Sequence, residues 1–167
     1  SQKCLMTPPG TAFIALSERA RAYMEKVESS RYYFDLRKYE QFMDKGETPF
    51  TPNIHNVFAL EEALMMMEAE GLDNVYARHM LMRDMMRAGA RALDLELLVS
   101  DADASPTVTA VKLPQADEFR QRIREKYGVE FAGGQGIHAG QIFRVGHMGY
   151  ATPLDVLTSL AVLEIEL

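Results

Sequence analysis

The spacing of apolar positions changes along this chain near residue 94, and the change predicts two differently built halves. Upstream, TAFIALS at 11–17 is a short apolar run around Phe13 and Ile14 that predicts a buried strand. Ser17 is placed to cap a helix through SERARAYMEKV, with Ala20, Met24 and Val27 on one face. An aromatic stretch then predicts a short helix near 34–44. Thr48, Pro49, Thr51 and Pro52 predict an extended loop, because each proline disfavours helix in the residue before it. From Ile54 to Glu70 an apolar helix runs through Val57, Phe58, Leu60, Leu64 and Met65, closed by Gly71. Asp73 is placed to cap the next helix, to about Leu93, with Val75, His79, Met82 and Met86 in one stripe. The eleven methionines concentrate here and read as filler between packed helices.

Downstream the period shortens. LELLVS (95–100) and TVTAVKLP (107–114) predict strands on either side of a polar turn holding Asp101 and Asp103. Residues 115–127 predict a helix with Phe119, Ile123 and Tyr127 four apart, ended by Gly128. VEFAGG and QIFRVGHMG predict two more strands, joined by the glycine-rich GGQGIHAGQ. Thr152-Pro153-Leu154-Asp155 has the cap, proline and acid of a helix start, and the last helix carries Leu157, Leu160 and Ala161. From residue 72 onward the order is helix, strand, strand, helix, strand, strand, helix, which predicts a compact α+β unit. Residues 1–71 have too few strands to close a sheet and read as part of a larger domain, which puts the boundary at 71–73.

Composition narrows the function classes. Of 167 residues, 47% are apolar, enough for a core, and the net charge is -6. That balance argues against binding nucleic acid. No apolar run approaches the ~18 residues of a membrane span. The single cysteine, Cys4, allows no internal disulfide and fits a reducing cytosol. Four scattered histidines and one cysteine give no metal-ligand spacing.

A few residues stand out chemically. Lys3 is a nucleophile if burial or a neighbouring cation depresses its pKa, and otherwise an ordinary solvated lysine. Arg144 lies on a strand between Phe143 and Val145, where a guanidinium needs an anionic partner. That partner is either a structural acid or a ligand carboxylate held by two parallel hydrogen bonds. The glycines at 133, 134, 136 and 140 match no phosphate-loop pattern and read as a turn. Thr48, Thr51 and Asn53 are able to hydrogen-bond an anion, His147 reads as structural or as the support of a site residue, and Cys4 as a packed thiol.

Three ordered segments carry a family resemblance: SQKCLMTPPGTAFIALSERA, FTPNIHNVFALEEALMMMEAEGLDNVYARH and GGQGIHAGQIFRVGHMGYATPLDVL. Together they resemble the class V aminotransferases that use pyridoxal 5'-phosphate. The branch they resemble includes alanine–glyoxylate, serine–glyoxylate and serine–pyruvate enzymes and soluble hydrogenase small subunits. The resemblance implies the small C-terminal domain of a fold-type-I enzyme at 72–167, with a small, mostly antiparallel sheet covered by helices. It implies that residues 1–71 are the remnant of an α/β large domain. Lys3 falls on the lysine that carries the cofactor, Gln2 on a neighbour of its phosphate, and Thr51 on a threonine reaching the partner subunit's cofactor. Arg144 falls on the arginine that binds the substrate α-carboxylate.

The implied activity is transamination between a small amino acid, alanine or serine, and the 2-oxo acid glyoxylate or pyruvate, in a cytoplasmic homodimer. The family's phosphate-binding turn, ring-stacking aromatic and acid for the pyridine nitrogen lie before the lysine and outside this chain. The chain is therefore expected to be inactive alone, with residues 1–10 weakly anchored. Two other readings are a cysteine desulfurase-like enzyme, whose required mobile thiol Cys4 does not supply, and a non-catalytic α+β dimerisation module. Phosphoserine aminotransferase would want further basic residues.

Overall fold

The computed structural model describes residues 1–167. Helices α1 (Glu18–Met24), α2 (Leu36–Met43), α3 (Ile54–Glu70) and α4 (Leu72–Ala92) come first. Strands β1 (Glu96–Leu97) and β2 (Val108–Lys112), helix α5 (Ala116–Tyr127), strands β3 (Ala132–Gly133) and β4 (Ile142–Gly146) and helix α6 (Pro153–Glu166) follow. The sheet runs β1-β2-β4-β3 with every neighbour antiparallel. Between β2 and β4, Val111 pairs with Phe143 and Ala110 with Arg144, so alternate residues face opposite sides.

One core holds the second half together. Met82, Met86 and Ala90 of α4 pack with Phe119 and Ile123 of α5, Val156 and Leu163 of α6, and Val111, Phe143 and Val145 of the sheet. Met82 and Met86 are thus core, as their spacing predicts, whereas Met65, Met66 and Met80 are exposed rather than filler. Arg87, also buried, is paired with Asp101 and the Val99 carbonyl, which satisfies its charge at the edge of that core. Gly128, at φ 67°, ends α5 in the left-handed conformation that glycine adopts without penalty.

Upstream of residue 94 two expectations fail, at TAFIALS and at Asp73, and the apolar face of α3 stays open. The TAFIALS run forms no strand, and Phe13 and Ile14 are 58% and 64% exposed. A strand exists only by pairing, and all four strands of the sheet belong to the second half. Along α3, Val57, Phe58, Leu64 and Met65 point to solvent, while only Asn56 and Ala63 are buried. Asp73 does not cap α4; Gly71, at φ 84°, is the residue between α3 and α4. No helix is long and apolar enough to cross a membrane.

Residues 1–11 are pinned rather than loose. Ser1 Oγ donates to the Pro8 carbonyl at 2.9 Å and accepts from the Thr11 N–H at 3.3 Å. Asn56, buried at the start of α3, donates Nδ2 to the carbonyls of Pro8 and Pro9 (3.2 Å each) and to Thr11 Oγ1 (3.1 Å). A buried amide that meets three acceptors fastens the Pro-Pro-Gly turn to α3.

Candidate active site

Arg144 occupies the middle of β4, between Ala110 of β2 and Ala132 of β3. Two alanines leave room for a guanidinium on the face opposite Phe143 and Val145. Its Nε donates to the Gly133 carbonyl at 2.8 Å, and no acidic side chain pairs with it. Of the two partners the sequence left open, the structural acid is absent. Neither terminal nitrogen has a hydrogen-bond partner in the chain, which leaves both available to grip a carboxylate bidentately. The glycine-rich segment serves this geometry. It forms a single 3-10 turn (Gly136–His138), and a Cβ on Gly134 would strike the His138 backbone.

Lys3 lies in a tight turn closed by the Met6 N–H to Lys3 carbonyl bond at 3.0 Å, with Met6 at φ 56°. Its side chain is exposed and free of acidic partners. This turn rests on the segment just beyond β4. A Cβ on Gly149 would lie 2.9 Å from Met6 Cγ and 3.4 Å from the Lys3 carbonyl oxygen. Only a glycine, here at φ 67°, permits that approach. Lys3 and Arg144 are therefore linked through a short run of backbone, 144–149. Gln2 is also exposed, its Oε1 taking only the terminal amine of Ser1 at 3.3 Å.

Thr51 is exposed in the loop before α3. Its neighbour Asn53 caps α3 at the Asn56 N–H and lies against Gly10, so the Thr51 loop adjoins the Pro-Pro-Gly turn. The structure does not bring Thr51 into contact with Lys3. Cys4 is exposed rather than packed.

His147 is structural, as its sequence setting suggests. Its Nε2 faces Thr109 Oγ1 at 2.9 Å and its Nδ1 the Pro106 carbonyl at 3.1 Å. Burial lowers its pKa below the usual imidazole range, so it stays neutral. A second set of contacts, around Gly149, has no local signature in the sequence. Arg78, held by both oxygens of Glu70 at 2.6 and 2.9 Å, donates Nη1 to the carbonyls of Gly149 and Ala151. His79 Nε2 accepts the Gly149 N–H at 3.1 Å. By its spacing His79 is one more member of the core stripe, and its partner 70 residues away cannot be read from the neighbouring residues.

The donor set suits the cofactor that the resemblance implies. Lys3, Gln2 and Thr51 are exposed amine, amide and hydroxyl groups, and Arg144 presents two unpaired nitrogens; none is neutralised by an acid. An anionic, phosphate-bearing aldehyde and a carboxylate substrate need such groups.

No protein-family model matches the sequence. The chain is 39% identical to the soluble hydrogenase 42 kDa subunit of Anabaena cylindrica over 100% of its length and 44% of that protein. It is 31% identical to the serine–glyoxylate aminotransferase of Methylorubrum extorquens, again over 100% of its length and 44% of that protein. Among solved structures, pyridoxamine–pyruvate aminotransferase from Mesorhizobium loti superposes with a TM-score of 0.91 at 36% identity. That match covers 98% of this chain and 44% of the enzyme, so the chain spans less than half the length of the proteins it resembles.

Proposed function

This chain belongs to the class V aminotransferases, which use pyridoxal 5'-phosphate, and on that premise we propose that the protein containing it moves an amino group between a small amino acid and glyoxylate or pyruvate. Arg144 carries the reading. Its Nε is occupied by the Gly133 carbonyl while its terminal nitrogens are free, which suits a substrate α-carboxylate. Lys3, whose turn leans on Gly149, would hold the cofactor, and its Nζ would take the proton from the substrate Cα and pass it on rather than return it. The cofactor supplies the electron sink for the charge left at Cα. Gln2 and Thr51 bind its phosphate, Thr51 from the other subunit of a homodimer.

Residues 1–71 belong to the cofactor-binding domain and 72–167 form the small domain, with Gly71 between them. The exposed apolar face of α3 supports this division, because Val57, Phe58, Leu64 and Met65 gain by being covered in the assembled protein. The free, exposed Cys4 is compatible with the cytoplasm.

The test uses the protein at its full natural length. Borohydride reduction in the presence of pyridoxal phosphate, followed by peptide mapping, is expected to label Lys3. Absence of label on Lys3 would remove it from the site. Residues 1–167 expressed alone are expected to show no transaminase activity, and turnover by them would overturn that part of the reading.

A further inference from the structure

Both polar backbone atoms of Gly149 are taken by α4. Its N–H donates to His79 Nε2 at 3.1 Å, and its carbonyl accepts from Arg78 Nη1 at 3.0 Å. The same nitrogen reaches the Ala151 carbonyl at 2.6 Å, and Glu70 holds the guanidinium in place. The second ring nitrogen of His79 faces the Val75 carbonyl at 2.7 Å. A carbonyl only accepts, so Nδ1 carries the proton and Nε2 presents the lone pair that the Gly149 N–H needs. On its other side Gly149 is the seat of the Lys3–Met6 turn. Two residues upstream, buried His147 fixes the end of the Arg144 strand to β2 through Thr109.

We propose that Arg78 and His79 are positioning residues for transamination. By holding Gly149 they set the separation between Lys3, whose turn rests on it, and Arg144, five residues upstream. The inference rests on the roles given above to Lys3 and Arg144. An amino acid must present its amine to one and its carboxylate to the other at the same time. A misplacement of about 1 Å between the two costs on the order of 100-fold in rate. An amine without a carboxylate needs Lys3 alone and is indifferent to that separation. The buried Gly149 N–H makes the hold stiff, since without its acceptor it would be unpaired.

The experiment compares alanine with ethylamine, the same molecule without its carboxylate, as amino donors for the full-length protein loaded with pyridoxal phosphate. His79→Phe and Arg78→Met are expected to reduce the preference for alanine roughly 10- to 100-fold. His79→Gln, whose Oε1 can accept the Gly149 N–H, should restore most of it. A variant that merely lost folded protein would slow both amines equally and leave the ratio unchanged.

A second readout needs no turnover. In the cofactor-free full-length protein, His79→Phe should speed hydrogen exchange in peptides covering 1–10 and 147–151 and leave 108–112 as in wild type. Two results overturn the positioning role while leaving the function standing: an unchanged alanine-to-ethylamine ratio in both variants with Lys3 still labelled by borohydride, or faster exchange throughout the chain. A wild-type protein that neither labels at Lys3 nor transaminates overturns both readings.

Discussion

Gly89 of α4 faces Leu160 of α6 so closely that a Cβ on the glycine would lie 2.9 Å from Leu160 Cγ and nearer still to both methyl carbons. The two helices meet at the one residue type that lets them approach. In a helix interior alanine is favoured over glycine by about 0.5–1 kcal/mol, whereas overpacking costs about 1–3 kcal/mol. Gly89→Ala is therefore expected to lower stability by about 1 kcal/mol in urea unfolding. Combined with Leu160→Ala it should show a favourable coupling, and strict additivity would mean that the contact is looser than the geometry indicates.

Glu166 joins α6 to α5 and is expected to govern acid sensitivity. Hydrogen bonds from Lys126, at 2.9 and 3.1 Å, and from Arg122, at 2.7 Å, pull its carboxyl down to about 2. A carboxylate lowered in the fold stabilises above its ordinary value of 4.5, and that contribution disappears as pH falls toward about 2. Thermal melts of wild type and Glu166→Gln should differ near neutrality and converge across that window. A difference that persists to pH 2 would assign the effect to packing instead.

His147 titrates with the opposite kind of group but the same sign. Its folded pKa is lowered, mainly by burial, so the unfolded chain takes up the proton first as pH falls. The stabilisation it provides is complete above the ordinary imidazole value of 6.5 and declines below it. His147→Gln should flatten the pH dependence of Tm over that range. Thr109→Val, which leaves Nε2 without its 2.9 Å partner, should cost about 1–3 kcal/mol.

Arg144→Lys is expected to be nearly as damaging as Arg144→Ala to a reaction that needs a carboxylate clamp. Lysine keeps the charge but cannot bond the Gly133 carbonyl and a carboxylate in one plane. The KM for the amino acid should rise roughly 10- to 100-fold in steady-state assays of the full-length protein. Unchanged KM in both variants would take Arg144 out of the site.

Residues 72–167 are expected to fold without residues 1–71. All fourteen buried residues of the main core, from Met82 to Leu163, lie in that segment. A single cooperative urea transition for the isolated segment would support the boundary at Gly71. A molten chain would show that the contacts of Arg78 with Glu70, and of Met6 with Gly149, are required for folding.

Much of the second half was legible because its signals are local. A repeat of three and four in Val75, His79, Met82 and Met86 specifies one buried helix face wherever the helix lies. Thr152 and Asp155 specify a helix start by bonding each other, the Asp155 carboxylate taking the Thr152 N–H at 2.7 Å. Arg144 stands out by its place between Phe143 and Val145 on a strand, whereas the roles of Lys3, Gln2 and Thr51 come from their place in ordered motifs. TAFIALS misled because a strand needs partners that composition cannot supply; α3 forms over the predicted residues, with an apolar face that is buried only if something covers it.

By itself, then, the sequence determined the order of helices and strands from residue 72 onward and the core face of α4. Tertiary structure alone decided that Gly149 would be gripped by Arg78 and His79 from 70 or more positions away, and that Lys3 would rest upon it. Periodicity and capping act within a few residues along the chain. A hydrogen bond between distant segments exists only once packing has brought its donor and acceptor to about 3 Å.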